Sequence, residues 1–131
     1  MTHKPVARRI LVIEDYPDGA ETFRRLLQMW GHEVEIAKTG EEGLQMIRDL
    51  HPEIVLCDWW LPGIGGKQVA EAVRSDPAVA ATFMACVTAS ADEYVEERAL
   101  AAGFDVHLVK PVELDELQGL LEGVAGSVGR G

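Results

Sequence analysis

The chain has 131 residues, 47% of them hydrophobic and 26% charged, with a formal net charge of −10. That is enough for one domain with a real core; no apolar stretch reaches the roughly 18 residues of a membrane helix. The acidic balance disfavours direct nucleic-acid binding by this domain.

The N-terminal "MTHKPVARR" is basic, but only "ILVI" follows before Glu14 and Asp15 interrupt it. No secretory signal is expected, and the protein reads as cytoplasmic. "RILVIE" is the first predicted strand. A helix follows over Asp18 to Trp30, with Phe23, Leu26, Leu27 and Trp30 at i, i+3, i+4, i+7 and Gly31 as its stop. "EVEIA" is the second strand. Thr39, with Glu42 three residues on, predicts a capping box for a second helix whose Leu44 and Ile47 face inward. "EIVLCD" is the third strand, and Gly66 to Ser75 the third helix, with Val69 and Val73 on one face. "TFMACVT" is the fourth strand. Asp92 to Ala102 forms the fourth helix, stopped by Gly103. "VHLV" is the fifth strand. Glu113 to Val124 is the fifth helix, with Leu114, Leu117, Leu121 and Val124 inward. "AGSVGRG" reads as a frayed tail. Cys57 and Cys86 lie in apolar runs, as reduced core thiols do. His3, His32 and His51 read as loop or surface residues.

Five strand–helix pairs predict an α/β domain, a parallel sheet covered on both faces. Right-handed crossovers bring every strand's C-terminal end to one edge, where such folds bind ligands. Glu14 and Asp15 follow strand one, Asp58 ends strand three, Thr88 ends strand four, and Lys110, followed by Pro111, ends strand five. Strand two brings no acid. Clustered carboxylates raise one another's pKa unless a cation sits among them. Oxygen ligands suit Mg²⁺, and a carboxylate can act as a nucleophile toward phosphorus. A lysine and a metal would neutralise the transferring phosphoryl group, and Thr88 could donate a hydrogen bond to it. Asp58, central among the strand ends, is the candidate acceptor.

On these residues the chain resembles the receiver domains of bacterial two-component response regulators over roughly Arg9 to Val124. The resemblance rests on "LVIEDYPDG", "VLCDWWLPGIGG", "VTAS" and "LVKP" in that order, each at a strand end. It implies a flavodoxin-like (βα)5 sheet of order 2-1-3-4-5. It implies that Asp58 takes a phosphoryl group from a phosphohistidine of a sensor histidine kinase or phosphotransfer protein, and that the domain then switches binding to an output partner. Glu14, Asp15, Asp58 and the backbone carbonyl of Trp60 would hold Mg²⁺. Thr88 and Lys110 would contact the phosphoryl group, and Lys110–Pro111 would be cis. Beyond its own phosphorylation and dephosphorylation no enzymatic activity is implied.

Three positions depart from the common family pattern. Glu14 stands where many relatives have Asp, Gly65 where Asp is frequent, and His107 where Tyr or Phe often serves as a switch residue. An imidazole there predicts an active-state equilibrium that depends on pH near neutrality. Trp59 and Trp60 are core or partner-facing; their positions leave both readings open. "GIGGK" is not a phosphate loop, because G-x-x-x-x-G-K-[ST] would need Gly at 61 and Ser or Thr at 68, where Leu61 and Gln68 stand. An aspartate-nucleophile phosphohydrolase would usually carry a second acid where Trp60 stands. A flavin carrier would need a Ser/Thr/Gly-rich loop in place of the acidic "EDYPDG". A receiver that binds partners without phosphorylation is disfavoured by the full set of five site residues. The chain is expected to be a single receiver domain, either stand-alone or cut from a larger protein.

Overall fold

The computed structural model describes residues 7–129, with side chains described to residue 123. In chain order the elements are β1 (Arg9–Ile13), α1 (Pro17–Met29), β2 (Glu33–Ala37), α2 (Gly40–Leu50), β3 (Ile54–Asp58), α3 (Gly66–Ser75), β4 (Phe83–Thr88), α4 (Glu93–Ala102), β5 (Val106–Val109) and α5 (Leu114–Gly129). The strands form one sheet in the order β2-β1-β3-β4-β5, parallel at every pairing.

Both faces of this sheet are covered, which explains the unbroken apolar runs of its central strands. Alternate residues feed two cores. Leu11, Ile13, Val55, Cys57, Met84 and Cys86 point to the side that receives Ile47, Val69, Val73 and Ala99 from α2, α3 and α4. Ile10, Val12, Ile54, Leu56, Ala85 and Val87 point to the opposite side, where Leu27, Leu117 and Leu121 arrive from α1 and α5. Cys57 and Cys86 are register partners on β3 and β4, and both are fully buried free thiols. Burial pushes both thiols up, Cys86 to about 12, so neither supplies a thiolate at neutral pH.

Local signals set the helix ends. Thr39 Oγ1 accepts from the Glu42 amide at 3.0 Å, while Glu42 Oε1 accepts from the Lys38 amide at 2.6 Å, one residue before the expected reciprocal donor. Asp92 caps α4 by accepting from the Tyr94 amide at 2.8 Å. Gly103 ends that helix at φ 121°, a conformation that L side chains rarely adopt.

Three expectations are corrected. His32 lies in the loop between α1 and β2, one of its two expected places, but it is buried rather than at the surface: its Nδ1 accepts from the Arg8 amide at 2.9 Å, tying the start of β2 to the chain entering β1. Leu114, expected to face inward, is 55% exposed, and the buried face of α5 is carried by Leu117 and Leu121 instead. The side chain of Val124 lies outside the described residues. The third correction is the end of α5, where backbone helix continues to Gly129 past the predicted fraying point. Extending an existing helix orders one residue per added hydrogen bond, which is cheaper than starting one. His3 and the terminal Arg130–Gly131 pair also lie outside the described residues.

Candidate acidic site at the sheet edge

The carboxyl ends of β1, β3, β4 and β5 meet at one edge, as the topology requires. Glu14 directly follows β1 and is held there by its amide, which donates to the Ala37 carbonyl at 2.9 Å. Its side chain is only 3% exposed. Asp58 is the last residue of β3, and its side chain is 11% exposed. Lys110 is set by its own amide, which donates to the Thr88 carbonyl at 2.8 Å and so joins the ends of β4 and β5. The Lys110–Pro111 bond is cis, as expected.

Lys110 Nζ reaches back across the edge. It donates to Glu14 Oε1 at 2.5 Å and to Asp58 Oδ2 at 3.3 Å. Asp58 Oδ1 accepts from the Trp60 amide at 3.0 Å, which fixes the carboxylate plane from the loop side. Glu14 Oε2 accepts from the Tyr16 amide at 3.3 Å. Asp15 is exposed, yet it offers an oxygen to the same cluster: one carboxylate oxygen from each of Glu14, Asp15 and Asp58 lies within 4.8 Å of the others.

These contacts split the titration of the two buried acids. Burial pushes Asp58 up from its ordinary 3.8 to about 6; the Trp60 amide opposes this, and the neighbouring Glu14 adds to it. Burial also raises Glu14, but hydrogen bonds from Lys110 and Asp58, with the lysine's charge, outweigh it and hold Glu14 below the usual carboxylate range. For Lys110, burial disfavours the ammonium, and the two carboxylates more than compensate, so its pKa is raised. Without a second cation Asp58 keeps its proton to higher pH than an ordinary aspartate, while Glu14 beside Lys110 stays ionised to lower pH than an ordinary glutamate.

Thr88 is fully buried at the end of β4, one step beyond Val87, the register partner of Asp58. Its Oγ1 accepts from the Ser90 amide at 3.2 Å, an arrangement that leaves the hydroxyl proton available to a ligand oxygen. The structure separates the two tryptophans by burial. Trp59 is 8% exposed and packs on Phe104, with ring centroids 6.3 Å apart, whereas Trp60 is 65% exposed. His107 points inward: its side chain is 4% exposed, its Nδ1 lies 4.0 Å from Glu96 Oε2, and its Nε2 is buried without a hydrogen-bond partner among the described residues.

The structure adds a residue that sequence reasoning did not assign to the site. A Cβ on Gly66 would stand 2.7 Å from the Asp58 carbonyl oxygen, so α3 can start against the acid's own backbone only without a side chain at that position. The Gly66 amide donates to the Trp59 carbonyl at 3.0 Å and closes the loop. The Gly65–Gly66 pair after Pro62–Gly63 was the available signal.

Among the described residues, no helix is long and apolar enough to cross a membrane. The profile of the family described as "Response regulator receiver domain" matches residues 10–122. The chain is 32% identical over 110 residues to the DNA-binding response regulator MtrA of Mycolicibacterium smegmatis, covering 84% of this chain but only 47% of that protein. It therefore spans about half the length of that relative. It is 28% identical over 109 residues to the polar-differentiation response regulator DivK of Brucella ovis, covering 83% of this chain and 89% of that protein. Among solved structures, it is similar to the receiver domain of the sensor histidine kinase PA1611 of Pseudomonas aeruginosa PAO1, which has a magnesium ion coordinated in its active-site cleft. That likeness has a TM-score of 0.85 at 25% identity and covers 92% of this chain and 99% of that one.

Proposed function

Because the chain belongs to the response regulator receiver domain family, we propose that Asp58 is its phosphoryl acceptor and that Glu14, Asp15, Thr88 and Lys110 are the working parts around it. The observation that carries this reading is the Glu14–Lys110–Asp58 contact, which gathers two buried acids and one lysine at the end of the sheet. The whole is read as one receiver domain with its core over residues 9–124, acting in the cytoplasm.

The donor set fits a divalent cation. Three carboxylate oxygens converge beside a single lysine, and burial, with the neighbouring Glu14, disfavours the charged form of Asp58, which a bound cation would offset. Glu14, Asp15, Asp58 and the Trp60 carbonyl would hold Mg²⁺, whose preference is for hard oxygen ligands. When bound it would neutralise charge on the phosphoryl oxygens.

The remaining work falls to the chain itself. Ionised Asp58 attacks the phosphorus of a phosphohistidine on a partner kinase or phosphotransfer protein. An O–P bond forms as the N–P bond breaks, and the electron pair of that bond leaves with the imidazole. Lys110 stands beside Oδ2 and would pair with the phosphoryl group, exchanging part of its contact to Asp58 for one to phosphate. The Thr88 hydroxyl would donate to another phosphoryl oxygen. Hydrolysis of the acyl phosphate by water returns the resting state, so the domain promotes only its own phosphorylation and dephosphorylation. The lifetime of the phosphorylated form then sets how long an output partner is engaged.

A test is to incubate the chain with Mg²⁺ and acetyl phosphate and treat the product with hydroxylamine. An acyl phosphate on Asp58 is released by hydroxylamine; a label that resists it would place the phosphoryl group on a hydroxyl and remove Asp58 from the role.

A further inference from the structure

An open groove of about 460 Å³ lies between the loop after β3 and the first turns of α4. Trp60, Leu61, Lys67, Tyr94, Val95 and Arg98 form its working surface. Trp60 and Tyr94 are 65% and 60% exposed. Large aromatic side chains left in water beside a groove mark an interaction surface more often than a structural need. Neither fills a core: the buried partner of this loop is Trp59, not Trp60.

The charge of the groove runs against that of the chain. Acids exceed bases by 22 to 12 in the whole sequence, yet the charged side chains that line this groove, Lys67 and Arg98, are both basic, with the Glu41 carboxylate beside its Gly63. Lys67 is paired with Glu71 at 3.0 Å. Arg98, like Arg9, has no carboxylate within ion-pair distance among the described residues, whereas Arg8, Arg24, Arg25, Arg48 and Arg74 each have one. Its guanidinium instead sits 5.2 Å above the Tyr94 ring and donates to the Tyr94 hydroxyl at 2.6 Å. These two contacts hold the guanidinium beside the ring and leave further N–H donors for a ligand.

We propose that this groove docks a short acidic segment of a partner protein, one that sets an apolar or aromatic side chain beside a carboxylate. The apolar side chain covers Trp60 and Tyr94, and the carboxylate pairs with the preoriented Arg98. Trp, Tyr and Arg are the residue types that carry most of the energy of protein interfaces. Charge complementarity selects the occupant, since basic or neutral segments would leave Arg98 desolvated and unpaired. The proposal goes beyond the phosphoryl-acceptor reading and stands without it.

The experiment uses the full chain, without metal or phosphodonor, as the target of a random dodecapeptide library displayed on phage. Enriched peptides should combine Asp or Glu with Trp, Phe or Leu. Binding, followed by the Trp60 indole resonance, should weaken at least about tenfold in Arg98→Glu and in Tyr94→Ser. Both side chains are exposed, and shift mapping on the unsubstituted chain reads the site should either variant fail to fold. Four results would each overturn the proposal: no enrichment, enriched peptides without acids, equal binding by the variants, or shifts centred away from Trp60, Tyr94 and Arg98. Self-association of the chain that Arg98→Glu abolishes would also overturn it, by assigning the groove to a second copy.

Discussion

Lys110 Nζ donates to Glu14 Oε1 at 2.5 Å although 96 positions separate the two residues in the chain. Their strands are not neighbours: β3 and β4 lie between β1 and β5. The contact exists because parallel crossovers align the strand ends and a lysine is long enough to cross two of them. Removing it leaves a 3%-exposed carboxylate without its cation. Lys110→Ala should therefore retain the fold but lose about 1–2 kcal/mol of stability in chelator, a range discounted because the lysine is itself part-exposed. Urea unfolding at pH 7 checks this. Unchanged stability would mean that the pair contributes nothing to folding.

Asp58 makes the opposite contribution. Its folded pKa of about 6 lies above its ordinary 3.8, so the native state binds more protons across that window. Stability from this group is full below the unfolded value, declines as pH rises through the window, and becomes a constant penalty above about 6. Asp58→Asn removes the penalty. In chelator the variant should be more stable than the parent by about 1–2 kcal/mol at pH 7.5, after discounting for solvent screening, and the gap should close near pH 4. Saturating Mg²⁺ should shrink the gap from the parent's side. A variant less stable than its parent at pH 7.5 would contradict the burial argument.

Much of this edge was legible in the sequence because parallel strands announce themselves by buried β-branched runs, and every run but that of β2 ends at or just before a candidate site residue. Asp58 after Ile54–Cys57 and Lys110 after Val106–Val109 are read in this way. What was not legible depended on partners that periodicity does not encode. His32 gives no pattern signal, and only the Arg8 amide shows why it is buried. Trp59 and Trp60 follow the end of β3, where the two-residue alternation that would sort them breaks down. The placement of Gly66 against the Asp58 carbonyl required the path of the loop between them.

The tryptophans make the site visible. The Trp60 amide holds Asp58 Oδ1, and its ring is in solvent, while Trp30 ends α1 on the face of the sheet away from Trp59. Mg²⁺ or phosphoryl binding should change the intrinsic fluorescence. The change should survive Trp30→Phe and vanish in Trp59→Phe/Trp60→Phe. A signal lost only with Trp30 would put the binding event elsewhere.

His107 carries a cost that a family-typical aromatic would not. Its Nε2 is buried with no hydrogen-bond partner among the described residues, and an unsatisfied buried polar atom costs about 1–3 kcal/mol. His107→Phe keeps a planar ring without the orphaned nitrogen, and should raise the unfolding free energy by about 1 kcal/mol at pH 7.5. A loss of stability would show that Nε2 has a partner, such as a bound water, that matters.

The central claim is that Asp58 accepts the phosphoryl group in a metal-dependent reaction, and intact-protein mass spectrometry tests it most directly. After incubation with Mg²⁺ and acetyl phosphate, the parent chain should gain the mass of one phosphoryl group. Asp58→Asn should gain none, and excess chelator should abolish the gain in the parent. An equal gain in Asp58→Asn, or an undiminished gain in chelator, would contradict the account.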